Sequence, residues 1–338
     1  MTLAESILAH DRLALSRLLT QIENNTEEGR MALNELFPYT GRAALVGVTG
    51  APGTGKSSLV NHLARYYRHP AQGEAARRVA IIAVDPSSPF TGGAILGDRI
   101  RMRDLSGDPG VFIRSMATRG SLGGLARATS ALTQIFDAAN FEVILIETVG
   151  AGQAEVDIAR LAHTTIVVEA PGMGDEIQAI KAGILEIADI LVVNKADRPG
   201  AENTERALRS MLEIGHPKSR HHFRENPSSP FRQLIPTSNE EQEIWVPPIQ
   251  RTVSTEGTGI QKLARLIEQH QEYLRRSGGW QQREQARLKV ELHAYLEETL
   301  MAHWRTSISE TFYQEILQEL FERKLSPQEA VERLTQSF

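Results

Sequence analysis

Short, mainly apolar runs alternate with amphipathic segments along the first 200 residues of the chain. Six of these runs predict buried strands, because each is too short and too continuous for an amphipathic helix. The predicted strands cover residues 45–48, 79–84, 111–115, 141–146, 164–168 and 190–193. Amphipathic helices are predicted between them. This alternation is typical of an α/β fold, in which a mostly parallel sheet is flanked by helices on both faces.

A glycine-rich motif follows the first predicted strand. Residues 50–57 read Gly-Ala-Pro-Gly-Thr-Gly-Lys-Ser and fit G-x-x-x-x-G-K-[ST] at every fixed position. The glycines let backbone N–H groups face phosphate oxygens, and the next helix offers its positive end to the same anion. We expect Lys56 to contact the β- and γ-phosphates and the Ser57 hydroxyl to bind Mg²⁺. The predicted phosphate contacts are Gly50, Ala51, Pro52, Gly53, Thr54, Gly55, Lys56, Ser57 and Ser58.

A second motif, Asn194-Lys195-Ala196-Asp197, ends the sixth predicted strand. A carboxylate here can accept hydrogen bonds from the guanine ring N–H and from its exocyclic amino group, a donor pair that adenine lacks. Asp197 is therefore the predicted base reader. We expect Asn194 to tie loops together and the stem of Lys195 to lie on the ring face. Backbone N–H groups of Ser254, Thr255 and Glu256 are expected near the guanine carbonyl oxygen.

Acidic residues near strand ends supply the hard oxygen ligands that Mg²⁺ prefers. The predicted metal ligands are Ser57, Asp85, Asp98 and Glu147, with a loop-capping role as the alternative for Asp85 and Asp98. Glu147 takes the position of a Walker B carboxylate. The predicted catalytic residues are Lys56, Glu147 and a candidate water-positioning residue, Gln153. Arg99, Arg101 and Arg103 are candidates for a cationic finger, with surface ion pairs as the alternative for at least two of them.

Composition and charge exclude several other classes of protein. The 338 residues contain no cysteine, which excludes disulfides, thiolate metal sites and a cysteine nucleophile. No apolar run approaches the ~20 residues that span a bilayer, and the N-terminus lacks the pattern of a secretory signal, so we expect a cytoplasmic location. The net charge of −5 gives no reason to expect nucleic acid. The basic, histidine-containing segment 216–232 predicts a solvated loop rather than a metal site.

Helices are also predicted outside the sheet. Residues 3–22 carry apolar side chains at helical spacing and predict one helix, and residues 27–36 predict a second. Residues 280–338 are almost wholly helical in pattern. They carry two apolar stripes, the first formed by Leu288, Leu292, Leu296, Leu300 and Trp304 and the second by Phe312, Ile316, Leu320 and Phe321. These stripes favour a homodimer interface over packing on the chain's own sheet.

Four motifs, three of them long, together resemble a known family. VDPSSPFTGGAILGDRIRM, ETVGAGQAE, PGMGDEIQAIKAGILEIADI and NKAD occur in this order and resemble the MeaB/MMAA family of P-loop GTPases, in the metallochaperone group. An older label for the family is ArgK, or LAO/AO transport kinase. The resemblance covers roughly residues 3–300. Ala151 and Ala154 depart from the family, which more often has Val and Ser at these positions.

The resemblance implies a GTPase chaperone of an adenosylcobalamin-dependent acyl-CoA mutase of the methylmalonyl-CoA mutase type. Such a protein couples GTP hydrolysis to loading, protection and reactivation of the mutase's cofactor, and dimerises through its C-terminal helices. The resemblance also implies a switch loop over 169–181, in which Lys181 is a fourth candidate catalytic residue that contacts the nucleotide-side carboxylates when the partner is bound. We expect slow intrinsic hydrolysis, raised when the mutase orders the switch loops.

The expected organisation has three parts. An N-terminal helical extension covers residues 1–40, a GTPase domain covers 41–276, and a helical dimerisation region covers 277–338. Three other functions stay open. They are an ATP-dependent kinase of a transport system, against which NKAD argues, a GTP-driven metal-insertion GTPase, and a scaffold that binds nucleotide without turnover. Metal-insertion GTPases tend to carry Cys or dense His motifs near the nucleotide, and this chain has no Cys.

Overall fold

A computed structural model of the chain describes residues 2–70, 75–86, 102–105, 107–118, 124–148, 154–172, 186–215 and 244–335. Within these residues the strands are β1 (Ala44–Thr49), β2 (Val79–Pro86), β3 (Val111–Thr118), β4 (Val143–Thr148), β5 (Thr164–Glu169), β6 (Ile190–Val193) and β7 (Ile249–Arg251). The helices are α1 (Leu3–Leu8), α2 (Arg12–Glu23), α3 (Glu27–Leu36), α4 (Lys56–Arg68), α5 (Gly124–Ala138), α6 (Ala154–Leu161), α7 (Ala201–Gly215), α8 (Ile260–Arg276), α9 (Gly279–Ser307), α10 (Glu310–Phe321) and α11 (Pro327–Thr335). Short 3₁₀ helices cover Phe37–Tyr39 and Arg103–Leu105.

The seven strands form one sheet in the order β3-β2-β4-β1-β5-β6-β7, and neighbouring strands are parallel throughout. This confirms the predicted α/β fold. The strand that enters the glycine-rich motif, β1, lies near the middle, between β4 and β5. The loops that follow β1, β4, β5 and β6 therefore leave the same edge of the sheet. The sequence interpretation missed β7, which is only three residues long.

Both faces of the sheet are covered by helices. Every residue of β1, β4 and β5 is buried, as expected for parallel strands between two helical layers. Along β4, Ile144 packs in the core that includes α1, α2, α3 and α5, whereas Leu145 packs in the core that includes α4 and α8. Successive side chains of a strand point to opposite faces, so one apolar run supplies both cores.

The single helix predicted over 3–22 is wrong, because two helices occupy this segment. The first ends at Leu8, and His10 has a left-handed backbone with φ of 67°. Asp11 then caps the second helix, its Oδ1 accepting hydrogen bonds from Leu13 N at 2.7 Å and Ala14 N at 3.2 Å. This cap satisfies N–H groups that a new helix would otherwise leave without partners, which stabilises the break. Between β2 and β3, where an amphipathic helix is predicted, the described residues include the 3₁₀ turn Arg103–Leu105.

A largely buried polar network joins the start of α9 to the amino-terminal edge of the sheet. Arg283 donates hydrogen bonds of 2.8 Å to both carboxylate oxygens of Asp189, which precedes β6. His163, which precedes β5, accepts a hydrogen bond from Leu45 N at Nδ1 (3.1 Å) and donates from Nε2 to Glu284 Oε1 (2.6 Å). This pattern requires a neutral imidazole. Burial lowers the pKa of His163, although the hydrogen bond that His163 donates to Glu284 opposes the shift.

The chain divides into two compact units, residues 1–287 and 288–338, with the boundary inside α9. The first unit contains the whole sheet. The second has a small core of its own, formed by Ile316, Leu325, Ala330 and Leu334. Outside that core, the four leucines of the first predicted stripe, at positions 288, 292, 296 and 300, are 36–66% exposed, and Phe321 is 83% exposed. Among the described residues, no helix combines the length and the apolar character that crossing a membrane requires.

Candidate nucleotide site

The loop after β1 has the backbone conformation that its glycines allow. Gly50, Gly53 and Gly55 have φ values of +136°, +80° and +94°, a region that side chains disfavour. A Cβ at Gly50 would lie 2.1 Å from Val168 O on β5, and one at Gly55 would lie 2.4 Å from Asn194 Nδ2. Side chains are therefore excluded at both ends of the loop by contacts as well as by backbone strain.

Lys56 begins α4, and its ammonium group lies inside this loop. Nζ donates hydrogen bonds to Gly50 O at 2.7 Å and Ala51 O at 3.0 Å, and the residue is only 5% exposed. Thr54 Oγ1 donates to the same Ala51 carbonyl at 2.9 Å. The N-terminus of α4 thus places a positive charge and the positive end of a helix dipole at one place, which favours the binding of an anion.

Ser57 and Glu147 meet across 90 residues of sequence. Ser57 Oγ donates a 2.6 Å hydrogen bond to Glu147 Oε1, and both residues are buried. Strand pairing explains the approach, because Val48 lies opposite Glu147 in the register of β1 and β4. Thr148 Oγ1 adds a 3.1 Å hydrogen bond to Thr49 Oγ1 at the end of the two strands. A hydroxyl and a carboxylate beside the phosphate loop are the donor types that Mg²⁺ accepts, so these residues fit that ion.

Asn194 links three segments at the same edge of the sheet. Its Nδ2 donates to Thr54 O at 2.7 Å. Its Oδ1 accepts from Thr252 Oγ1 at 3.0 Å, from Ser254 N at 3.1 Å and from Ser254 Oγ at 2.5 Å. The side chain is 2% exposed, so these bonds form away from solvent. Asn194 therefore fixes the loop after β6 and the loop after β7 against the phosphate loop.

Lys195 and Asp197 lie beside this contact. Lys195 has a left-handed backbone with φ of 55°, and its Nζ donates a 2.6 Å hydrogen bond to Gly53 O. Asp197 is exposed at the sheet edge. The carboxylate is thus accessible to a base, while the lysine stem lies against the phosphate loop.

The segment after β7 forms a tight loop that leads into α8. Val253 N donates to Thr258 O at 3.0 Å, and Glu256 N donates to Val253 O at 3.0 Å. These bonds leave Thr255 and Glu256 exposed at the tip, whereas Ser254 is buried against Asn194. The sequence analysis did not predict the hydrogen bond from Thr252 to Asn194. Thr252 follows a strand that is too short to recognise from its sequence pattern.

Several predicted site residues lie outside the described residues, namely Asp98, Gln153, Lys181, Arg99 and Arg101, as do most of the switch loop over 169–181 and the basic segment 216–232. Asp85 is the penultimate residue of β2 and Arg103 begins a 3₁₀ turn, but their side chains are not among the described groups.

Comparison with known proteins identifies the family. A profile of the family described as "Methylmalonyl Co-A mutase-associated GTPase MeaB" matches residues 15–309. The chain belongs to the MeaB family. This MeaB-family protein is 41% identical over 332 residues to a Pyrococcus abyssi protein named as a GTPase, covering 98% of this chain and 94% of that one. It is 30% identical over 345 residues to the mouse "Methylmalonic aciduria type A homolog, mitochondrial", covering 100% of this chain and 75% of the relative.

A solved structure gives the same result for the fold. The "LAO/AO transport system kinase" superimposes with a TM-score of 0.66 and 25% identity, over 99% of this chain and 95% of that one. The resemblance inferred from sequence motifs is confirmed. The MeaB-family chain is a P-loop GTPase that binds guanine nucleotide and hydrolyses GTP.

Proposed function

We propose that this MeaB-family GTPase binds an adenosylcobalamin-dependent acyl-CoA mutase of the methylmalonyl-CoA mutase type. It couples GTP hydrolysis to loading, protection and reactivation of the mutase's cofactor. The observation that carries this proposal is the family match over residues 15–309, whose description names association with a mutase. The name of the mouse relative, which refers to methylmalonic aciduria, supports the same class of partner.

The phosphate loop supplies the electrostatic part of the reaction. When nucleotide binds, Lys56 Nζ exchanges its hydrogen bonds to Gly50 O and Ala51 O for contacts with the β- and γ-phosphates. The backbone N–H groups of the loop contact the same oxygens. Charge that develops on the β–γ bridge is then stabilised by groups already in position, so Lys56 is the proposed catalytic residue.

Ser57 and Glu147 are the residues proposed to hold Mg²⁺, since their oxygens already meet at 2.6 Å. Asp85 and Asp98 are the further proposed ligands. When bound, Mg²⁺ neutralises negative charge on the β- and γ-phosphate oxygens. Glu147 itself fixes the Ser57 hydroxyl beside the phosphate loop.

Base selection is proposed for Asp197, with Asn194 and Lys195 holding the loop in place. The support is the set of hydrogen bonds from Asn194 and Lys195 to Thr54 O and Gly53 O. Of the predicted backbone contacts to the guanine carbonyl oxygen, Thr255 N–H is the proposed donor, because Ser254 N donates to Asn194 Oδ1 and Glu256 N donates to Val253 O. Gln153 as the water-positioning residue, and Lys181 as the partner-dependent contact of the switch loop, stay predictions from the sequence.

The C-terminal helices are proposed to form a homodimer. The support is the row of exposed leucines on α9, which repeats every four residues from Leu288 to Leu300. Side chains four residues apart lie on one face of a helix, so this row offers one apolar surface to a second copy. The three-part division of the chain, with boundaries near 40 and 276, and the cytoplasmic location stay predictions.

Hydrolysis assays with and without the partner test the proposal. GTP turnover is measured for the full chain alone and with a purified adenosylcobalamin-dependent acyl-CoA mutase, and retention of the mutase on the immobilised chain is measured in parallel. We expect co-retention and faster turnover with the mutase. Lys56→Ala should reduce turnover by about 10²–10³-fold, whereas Lys262→Ala, which removes an exposed lysine of α8, should not. Equal turnover with and without the mutase, and no retention, would contradict the proposed partnership.

A further inference from the structure

The helix that follows the phosphate loop also contacts the loop that follows β7. His62 lies on α4 and is partly buried. A Cβ placed on Gly257 would lie 3.1 Å from His62 Nδ1 and 3.5 Å from its Cε1. The imidazole ring therefore packs directly against the backbone at Gly257.

The position of Gly257 within its loop makes this contact specific. Gly257 has a φ of +78°, and it follows Thr255 and Glu256, the two exposed residues at the tip. Its carbonyl accepts a hydrogen bond from Ile260 N at 3.3 Å, where α8 begins. The loop is thus supported at two points. Asn194 holds its first half through Ser254, and His62 lies against its second half.

The charge state of His62 suits a packing role. Burial lowers the pKa of His62, and the neighbouring Arg65 lowers it further, while Asp104 opposes the shift. A neutral ring contacts the backbone of the loop without adding a second positive charge beside Arg65.

We propose that His62 is a positioning residue for base recognition, because its ring supports the turn from Thr255 to Gly257 against the phosphate-loop helix. The N–H group of Thr255 then faces the guanine carbonyl oxygen. This inference rests on the proposed function, in which Thr255 N–H contacts that oxygen. His62 acts through the loop and does not itself touch the nucleotide.

The test compares GDP with 6-thio-GDP, in which sulfur replaces the carbonyl oxygen and the groups facing Asp197 are kept. Dissociation constants are measured by calorimetry for the wild-type chain, His62→Ala, His62→Phe and the control His69→Ala, an exposed histidine of the same segment. A lost hydrogen bond of ordinary strength corresponds to about tenfold in affinity. We expect His62→Ala to weaken GDP binding by about tenfold. The ratio of the dissociation constants of 6-thio-GDP and GDP should also be smaller in this variant than in the wild-type chain. His62→Phe, which keeps a ring at this position, should retain wild-type behaviour, as should His69→Ala.

Two results distinguish a failure of this inference from a failure of the proposed function. A wild-type chain that prefers GDP to ADP, together with an unchanged ratio of the dissociation constants of 6-thio-GDP and GDP in His62→Ala, would overturn the role of His62 and leave the nucleotide site intact. A wild-type chain without preference for GDP would overturn both. Circular dichroism checks that each variant is folded. If His62→Ala does not fold, His62→Asn takes its place. An unchanged GDP affinity in His62→Asn, with an unchanged loss of affinity for 6-thio-GDP relative to GDP, then overturns the inference.

Discussion

Removal of the Asn194 side chain should uncouple the base-reading loops from the phosphate loop. Asn194→Ala deletes four hydrogen bonds at once, one donated to Thr54 O and three accepted from Thr252 and Ser254. The site is almost fully buried, so water cannot easily replace the lost partner. Thr54 O and Ser254 N lose partners there, whereas the two hydroxyls can rotate toward others.

The size of the effect follows from these contacts. A typical hydrogen bond contributes about 1 kcal/mol net, and a buried group left without a partner costs about 1–3 kcal/mol. The two buried groups that lose their partners, at about 2 kcal/mol each, therefore predict a loss of roughly 4 kcal/mol in the free energy of unfolding. If half of that energy is expressed in nucleotide binding, about 2 kcal/mol, GDP affinity falls by about 30-fold.

Two measurements check this prediction. Urea unfolding gives the change in stability, and titration with a fluorescent GDP analogue gives the change in affinity. The matched control is Thr252→Val, which removes one of the four bonds at a residue that is equally buried, and should cost about 1 kcal/mol. The reasoning is refuted if Asn194→Ala changes stability and GDP affinity no more than Thr252→Val does.

Three further predictions concern the loop, the metal and acid stability. Gly55→Ala should abolish GDP binding in a chain that remains folded by circular dichroism, because its Cβ would lie 2.4 Å from the Asn194 amide. Glu147→Gln should remove most of the gain in GDP affinity that Mg²⁺ gives, measured by titration with and without the ion, because a neutral amide is a weaker ligand. The free energy of unfolding should decrease as the pH is lowered. The hydrogen bond from His163 and the charge of Arg287 outweigh the burial of Glu284 and lower its pKa from 4.5 to about 2, and the pKa of His163 also lies below 6.5. Since the folded chain binds fewer protons than the unfolded chain at these two residues, their contribution to stability is greatest above pH 6.5 and is lost on acidification. Urea unfolding should show that Glu284→Gln lacks the part of that loss between pH 4.5 and about 2.

Much of the fold could be predicted because its signals are local. A continuous apolar run such as residues 79–84 specifies a strand buried on both faces without reference to the rest of the chain. The alternation of such runs with helices then specifies a parallel sheet. The phosphate loop is equally local, since its glycines, Lys56 and Ser57 are adjacent in sequence. In a parallel sheet the carboxyl ends of the strands lie at one edge, so the predicted topology also placed the loops after these strands near one another.

Other features depend on competition or on distant partners. The chain breaks between α1 and α2, where the side chain of Asp11 caps the start of α2. The spacing of apolar residues does not show whether such a cap or a continuous helix is more stable. The strand β7 is three residues long and depends on pairing with β6. Thr252 meets Asn194 across 58 residues of sequence. Nothing in the local pattern indicates such contacts, so they emerge only from the folded chain.

The central claim is that a carboxylate at position 197 selects guanine while the phosphate loop holds the triphosphate. The most direct measurement is a competition among GDP, ADP and xanthosine diphosphate for the wild-type chain and for Asp197→Asn. Xanthine carries a carbonyl where guanine has its amino group, so an amide at this position can donate to it. The account predicts that the wild-type chain prefers GDP to ADP by about 10⁴-fold, and that Asp197→Asn prefers xanthosine diphosphate. Equal affinity of the wild-type chain for GDP and ADP, or an unchanged preference in Asp197→Asn, would contradict it.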